Sequence, residues 1–362
     1  MGTLTSYLKW RGDLSFKISP FNIFDELVFS GIAYLDIRRG YEAGTSKNFG
    51  ELLDTQMKKG SFRTTSLDRK GVASDFIKEV AKCKRFRSAV IIDYEDDYSS
   101  ENDVQFAAMT FKLDDGSIVV AYRGTDNSIA GWKEDFMITF TKPKAQDLAL
   151  KYLARTLKRH KNVYVCGHSK GGNLAIYAAS SLTDRQLRRV SKVYVNDGPG
   201  LCDDVVPKDK IKRIDSKATM IMPSDSIFGR IFEADFSDKI IVKSLNQGVR
   251  AHSIYSWEIE DNDIVRAKGF SKASDFIKEF LNKMLENQNL EQRKALVNNI
   301  FDMLKENGYE RLTDFKEDGF SELLGVFRKI LEEGMSSFNF NPRKRLLAQI
   351  ENIKARILEE RA

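Results

Sequence analysis

Ser169 stands between two glycines in the sequence Gly167-His-Ser-Lys-Gly171. A short apolar run at residues 163–166 precedes this sequence, and an apolar, helix-forming stretch follows it to residue 182. A serine at such a strand-to-helix turn projects from the carboxyl end of the strand, and the tightness of the turn demands small flanking residues. The spacing therefore predicts that Ser169 is a nucleophile and that Gly167 and Gly171 shape its turn. The alternative is a glycine-rich turn whose serine only caps the helix.

A serine hydroxyl needs a general base, and the chain has three histidines. His168 is adjacent to the serine, and its side chain is expected to leave the turn in a different direction. His160 precedes the strand at its opposite end and is expected in solvent. His252 is the remaining candidate, and it follows the serine in the chain, as the order serine, acid, histidine requires. His252 is therefore the predicted base.

The acid that orients this histidine is expected between Ser169 and His252, after a strand that follows the nucleophile strand. Asp225 follows the strand-like run 218–222, and Asp197 ends the earlier run 193–197. The acid usually lies one strand beyond the first neighbour of the nucleophile strand, which favours Asp225 and keeps Asp197 as the alternative. Either carboxylate can also serve only to bond the backbone of its own turn.

A tetrahedral oxyanion needs hydrogen-bond donors. One is the backbone N–H of Lys170, which lies at the N-terminus of the predicted helix, where the peptide dipoles favour negative charge. The second is expected from a loop after an earlier strand. Residues 117–122 are rich in β-branched types and are followed by Arg-Gly and then Thr125. Thr125 offers both a backbone N–H and a hydroxyl, so Thr125 and Lys170 form the predicted oxyanion hole.

Two further segments support this arrangement. Ala-Tyr-Arg-Gly-Thr-Asp at 121–126 and Gly-Trp-Lys-Glu-Asp-Phe at 131–136 resemble the F-R-G-[ST] … D-W … D-[FL] pattern of class-3 lipases. With the glycine-flanked serine, they make the chain similar to a bacterial branch of class-3 lipase-like α/β-hydrolases. Members of that branch often begin with segments like residues 7–13 and 21–25 of this chain.

The resemblance implies an α/β-hydrolase fold with a mainly parallel central sheet over roughly residues 5–260. It also implies Ser169 as nucleophile, Asp225 as acid, His252 as base, and Thr125 and Lys170 as oxyanion donors. The lysine departs from the family, which usually has an apolar residue after the serine. Its side chain is expected either to bind a phosphate or carboxylate of the substrate, or to point to solvent or form a salt bridge with a carboxylate at position 134 or 135.

The composition is that of an ordinary globular protein, with 42% hydrophobic and 30% charged residues. A net charge of +6 without basic clusters interleaved with aromatics argues against nucleic-acid binding. The start of the chain has no signal-peptide pattern, no run is apolar enough for a membrane span, and the three cysteines are scattered. These features predict a cytoplasmic protein without metal or cofactor, and they leave open a transient membrane-surface contact and a homo-oligomer.

The chain is expected to divide into a hydrolase domain at 1–260 and a helical C-terminal appendage or cap at 261–362. Within the first part, the polar stretch 42–65 is a candidate lid or access loop. The second part is interpreted as a structural appendage or dimerisation surface, with a cap over the acyl pocket or a membrane dock as alternatives. The second part is predicted to be helical because it has four apolar stripes at helical spacing, in residues 276–285, 296–304, 323–331 and 346–357.

Together these observations predict a serine hydrolase that cleaves a carboxylic ester or thioester of a lipid-like acyl group through an acyl-enzyme. A small-molecule acyl ester or thioester is the expected substrate. The alternative is a hydrolase fold without catalysis that binds or scaffolds a partner through its helical C-terminal region.

Overall fold

The computed structural model describes residues 2–311, apart from 39, 43, 60–61, 63, 65–71, 100–103, 126–127, 262 and 287, together with residues 314, 324–325 and 328–329. Helices and strands alternate through most of this length. The α-helices are α1 (Leu4–Arg11), α2 (Ile23–Ile32), α3 (Phe49–Lys58), α4 (Val72–Val80), α5 (Lys84–Arg87), α6 (Ile129–Met137), α7 (Lys144–Arg159), α8 (Lys170–Ser180), α9 (Asp184–Leu187), α10 (Lys208–Lys212), α11 (Lys272–Leu285) and α12 (Leu290–Glu306). Short 3-10 helices cover Asp215–Lys217, Phe228–Arg230, Gly248–His252 and Ile254–Ser256.

Eight strands form one sheet in which each strand pairs with the next one in the chain. The first three pairings are antiparallel and the last four are parallel. The strands are β1 (Lys47–Asn48), β2 (Val90–Ser99), β3 (Val104–Lys112), β4 (Ile118–Tyr122), β5 (Val163–His168), β6 (Val190–Asn196), β7 (Ala218–Pro223) and β8 (Lys239–Val242), and a separate antiparallel pair is β9 (Ile259–Glu260) with β10 (Asp263–Ile264).

Successive strand residues point to opposite faces of the sheet, and each face has its own apolar core. On β4, Val120 belongs to one core and Val119 to the other. The first core is covered by α6, α7, α8, α11 and α12, and the second by α1 to α4. Helices on both faces of a mostly parallel sheet confirm the predicted α/β-hydrolase fold.

The polar stretch that was a candidate access loop is partly regular structure. It contains β1 and α3, and α3 buries Phe49, Leu52 and Leu53 completely against the second core. Asn48 caps the helix by accepting a hydrogen bond from the Glu51 N–H at 3.0 Å. The apolar residues recur at helical spacing among polar ones, so the loop interpretation was wrong for residues 47–58.

The first two C-terminal stripes form α11 and α12, as predicted. The third falls on residues of which only 324–325 and 328–329 are described, and these are helical; the fourth lies outside the described residues. The boundary at 260 falls inside the β9–β10 hairpin, and beyond it the Ala267 N–H donates to the Ile241 C=O of β8 at 2.8 Å. The division into two domains stays a prediction. Within the described residues, the helices fall short of the length and apolar character that a membrane span requires.

Candidate active site

Ser169 lies between the end of β5 and the start of α8, with φ 59° and ψ −128°. This left-handed conformation is strained for a residue with a Cβ atom and is typical of functional turns. The turn leaves no room for other side chains at its two glycines. A Cβ atom on Gly167 would lie 2.3 Å from the Gly171 backbone, and one on Gly171 would lie 2.3 Å from the Tyr122 carbonyl oxygen. The structure therefore has the tight serine turn that the spacing predicts.

His252 lies at the end of the 3-10 helix Gly248–His252, and its Nδ1 is 2.6 Å from Oδ2 of Asp197. Asp197 follows β6 directly and has φ 46°. Its other oxygen accepts hydrogen bonds from the Ser226 hydroxyl and, at 3.2 Å, from the Gly229 N–H. Because a carboxylate oxygen accepts, Nδ1 of His252 is the donor, and in the neutral ring Nε2 is then the acceptor. Nε2 is buried and without a hydrogen-bond partner in the described part of the chain.

The preference for Asp225 as the acid is corrected by this geometry. Asp225 does follow β7, but its carboxylate accepts a hydrogen bond from the Gly248 N–H at 2.9 Å and is not the partner of His252. Gly248 has φ 57° and opens the 3-10 helix that carries the histidine. The 3-10 helix thus presents its first residue to Asp225 and its last residue to Asp197, so the alternative named from the sequence is the one that contacts the base.

The other two histidines occupy different environments. His168 is buried, and its Nε2 lies 2.7 Å from the carbonyl oxygen of His252, so Nε2 carries the proton. Its Nδ1 then accepts from the Tyr34 hydroxyl at 2.9 Å. Burial holds the pKa of His168 well below its ordinary value, and His168 therefore supports the His252 backbone as a neutral ring. His160 follows the C-terminus of α7, at the opposite end of β5.

Thr125 lies in the loop after β4, at the same sheet edge as Ser169, because Tyr122 pairs with Gly167. Its hydroxyl donates to Oδ1 of Asp135 in a short hydrogen bond. The second oxygen of Asp135 accepts the Ser169 hydroxyl at 3.3 Å. One buried carboxylate on α6 therefore holds both hydroxyl groups.

Asp135 is the residue that sequence reasoning missed. The lipase-like pattern contains this aspartate, but the pattern alone gave it no role other than a salt bridge to Lys170. Burial raises the pKa of Asp135 to about 7, against the opposing effects of the Lys170 ammonium and the Thr125 hydroxyl. Asp135 therefore changes charge near neutral pH, beside the candidate nucleophile.

The side chain of Lys170 is almost completely buried, and its Nζ lies 2.8 Å from Oε2 of Glu134. This agrees with the salt-bridge interpretation of the lysine. Its backbone N–H stands at the first position of α8, directly after Ser169, where the helix dipole favours an anion.

Aromatic rings pack against the buried imidazole of His252 and against one another. The Phe228 ring centroid lies 4.3 Å from that of His252, and Trp132 contacts Phe228 edge-on at 4.5 Å. Phe136 on α6 packs against Phe301 on α12 at 5.3 Å. Ser169 itself is only 1% exposed. A cavity of about 900 Å³ between α10, α11 and residues 201–204 and 232–237 lies elsewhere, and Ser169 and His252 do not line it.

The C-terminal helices contact the loop that supports Asp197. The hydroxyl of Ser274 on α11 donates to the carbonyl oxygen of Ser226 at 2.5 Å, and Ser226 in turn donates to Asp197. The N–H of Ser271 donates to the Ser224 carbonyl at 2.9 Å. No cluster of three or more histidine, cysteine or acidic side chains arranged for a metal ion occurs among the described residues.

The sequence model of the Mbeg1-like family matches residues 80–302, which is more than half of the chain. Among solved structures, the chain is similar to one titled "Crystal structure of M37 lipase", with 14% identity and a TM-score of 0.39 over 90% of this chain and 93% of that one. That similarity is too low to carry an argument. A comparison with curated proteins gives no significant match. The fold and the family support a hydrolase-type function.

Proposed function

The chain belongs to the Mbeg1-like family, and from that premise and the geometry at the end of β5 we propose that it is a serine hydrolase. Its substrate is a carboxylic ester or thioester of a lipid-like acyl group. The observation that carries the proposal is the position of His252. Its Nδ1 is held by Asp197, its Nε2 has no hydrogen-bond partner among the described residues, and its ring centroid lies 4.5 Å from that of His168, the residue before Ser169.

In the proposed reaction, the Ser169 hydroxyl turns from Asp135 to Nε2 of His252 and attacks the carbonyl carbon as its proton passes to the imidazole. The oxyanion is held by the N–H groups of Lys170 and Thr125. The C–O or C–S bond then breaks, and the imidazolium returns the proton to the departing alcohol or thiol. Water repeats these steps on the acyl-enzyme, which releases the carboxylic acid and restores the serine.

Asp197 keeps the imidazole in one tautomer and stabilises its charged form. The rings of Trp132, Phe136 and Phe228 support an apolar acyl group, since they would bury methylene groups next to the reacting carbonyl. The cytoplasmic location, the transient membrane contact and the homo-oligomer remain predictions.

Labelling with a fluorophosphonate probe tests the proposal. Wild-type protein is expected to react, and Ser169→Ala is expected to lose all labelling while keeping its thermal unfolding temperature. Ser181→Ala, at the other end of α8, is the matched control and is expected to label fully. Turnover of p-nitrophenyl esters of rising chain length, and of matching thioesters, then defines the acyl preference. A folded wild-type protein that neither labels nor turns over any ester would support the scaffold alternative.

A further inference from the structure

Three polar side chains meet in the core next to the serine turn. Glu26 and Ser30 lie one turn apart on α2, and Asn196 is the last residue of β6; all three have 0% exposure. Nδ2 of Asn196 donates to Oε2 of Glu26 at 2.8 Å and to the Ser30 hydroxyl oxygen at 3.1 Å. Burying polar groups this deeply costs free energy unless they are hydrogen-bonded, so each polar atom of the three side chains is expected to have a partner.

Asn196 connects this cluster to both ends of the candidate site. Its backbone carbonyl accepts a hydrogen bond from the Ser169 N–H at 2.9 Å. The next residue is Asp197, whose carboxylate holds His252. A displacement of Asn196 therefore moves the nucleophile and the acid of the proposed triad together.

Glu26 has no cationic partner among the described residues, unlike its neighbour Asp25, which pairs with Arg85 at 2.6 Å. Burial raises the pKa of Glu26 well above its ordinary value, which outweighs the hydrogen bonds from Asn196 and Ser30, and the carboxylate of Asp25 raises it further. Burial therefore favours the protonated form of Glu26, which has one proton to donate, over the carboxylate.

Two oxygens of the cluster are buried without a partner, namely Oε1 of Glu26 and Oδ1 of Asn196. If Glu26 is ionised, its Oε1 and the Oδ1 of Asn196 are both acceptors and do not form a hydrogen bond with each other. When Oε1 carries the proton, however, it is a donor that complements Oδ1. The two side chains already share the hydrogen bond from Nδ2 to Oε2. A second bond from Oε1 to Oδ1 would satisfy both remaining atoms.

We infer that Glu26 is a carboxylic acid hydrogen-bonded twice to the amide of Asn196, and that this pair positions Ser169 and Asp197. The positioning role rests on the proposed function, whereas the acid–amide pair does not. Glu26 is a positioning residue, because it acts through Asn196 and touches no reacting atom.

The pair is tested by infrared difference spectroscopy of wild-type protein against Glu26→Gln at neutral pH. The expected difference is the carbonyl stretch of a protonated carboxylic acid. A carboxylate band in its place would overturn the inference. This measurement needs no substrate, so it remains decisive even if Ser169→Ala shows that the proposed function is wrong.

Ester hydrolysis tests the positioning role. Glu26→Leu removes the Glu26 oxygens from the Asn196 amide, which then keeps only its hydrogen bond to Ser30 among the described residues. We expect kcat to fall about 10- to 100-fold with little change in KM. Glu26→Gln keeps one donor and one acceptor for the amide, so it is expected to recover most of this loss with an unshifted pH profile of kcat. Ile32→Ala, also fully buried on α2, is the control and is expected to lower stability without lowering kcat.

If the Glu26→Leu variant folds and has the kcat of the wild-type protein, the positioning role of Glu26 is refuted. Loss of activity in Glu26→Gln equal to that in Glu26→Leu, or a shifted pH profile, would show that an ionised carboxylate is required. If Glu26→Leu does not fold, the spectrum and the kinetics of Glu26→Gln still decide the question.

Discussion

Oδ2 of Asp197 lies 2.6 Å from Nδ1 of His252, across 55 positions of sequence. The carboxylate is fixed by the Ser226 hydroxyl and the Gly229 N–H, and all of these groups are buried. The Asp225 carboxylate, by contrast, accepts a hydrogen bond from the Gly248 N–H. The two aspartates therefore bind the same 3-10 helix at different residues. Asp197 binds the side chain of its last residue, His252, and Asp225 binds the backbone of its first residue, Gly248.

Substitution of the two aspartates by asparagine separates these roles. Asp197→Asn is expected to lower kcat by about 10⁴, because the amide favours the wrong imidazole tautomer. Asp225→Asn still accepts a hydrogen bond from Gly248 and is expected to have a much smaller effect. Ester turnover of both variants at equal folded concentration is the measurement, and the reverse ranking would return the role to Asp225.

Asp135 makes stability depend on pH. Its pKa is raised from 3.8 to about 7 in the folded chain, so the folded state retains a proton that the unfolded chain has lost. This retained proton adds to the free energy of unfolding. The contribution is fully present below about pH 4 and is lost as pH rises through 7, and between these two pH values the free energy of unfolding falls by up to about 1.4 kcal/mol per pH unit.

Urea unfolding of wild-type protein and Asp135→Asn, at about pH 5 and about pH 8, measures this contribution. Subtracting the variant removes the effects of groups that are common to both proteins. The wild-type protein is expected to lose more stability than Asp135→Asn between the two pH values. Equal losses would show that Asp135 is ionised throughout.

The Lys170–Glu134 ion pair is asymmetric, with side-chain exposures of 4% and 34%. Glu134→Gln deprives a buried ammonium of this partner, whereas Lys170→Met leaves a carboxylate that water can reach. Glu134→Gln is therefore expected to lower the free energy of unfolding more than Lys170→Met does. Both variants are compared by urea unfolding. A selective loss of kcat/KM for anionic esters in Lys170→Met would instead assign the lysine to the substrate.

A fragment that ends at residue 262 is expected to be poorly soluble or inactive. It lacks the Ser274 hydroxyl that holds the Ser226 carbonyl, and it exposes the apolar surface that α11 and α12 cover. Gel filtration and ester turnover of the fragment against the full chain test this expectation. A monomeric fragment with full activity would show that the helices are an independent module. Ser274→Ala isolates the hydroxyl contact from the loss of the helices.

Local patterns were enough to predict the serine turn and strands β4 to β7, because each depends on neighbouring residues. His252 was predicted instead by elimination among the three histidines. The choice between Asp197 and Asp225 depends on where a distant 3-10 helix returns to the sheet, and no spacing in the sequence encodes that. Asp135 escaped assignment for a similar reason: its contacts with Thr125 and Ser169 exist only after α6 packs over the sheet edge. Strand β8 was also missed, since four residues give too short a pattern.

The strand order of the sheet bears on how the molecule assembles during synthesis. Because every strand of the described eight-stranded sheet pairs with the one before it in the chain, each new strand of this sheet can pair with one that has already been synthesised. No strand has to be inserted between two that are already paired, so the sheet can extend at a single growing edge. The strands that precede Ser169 and Asp197 are synthesised before His252, and α11 and α12 follow later still. The polypeptide thus acquires its reactive groups one after another, and α11 and α12, which pack on the first core, are synthesised after all of them.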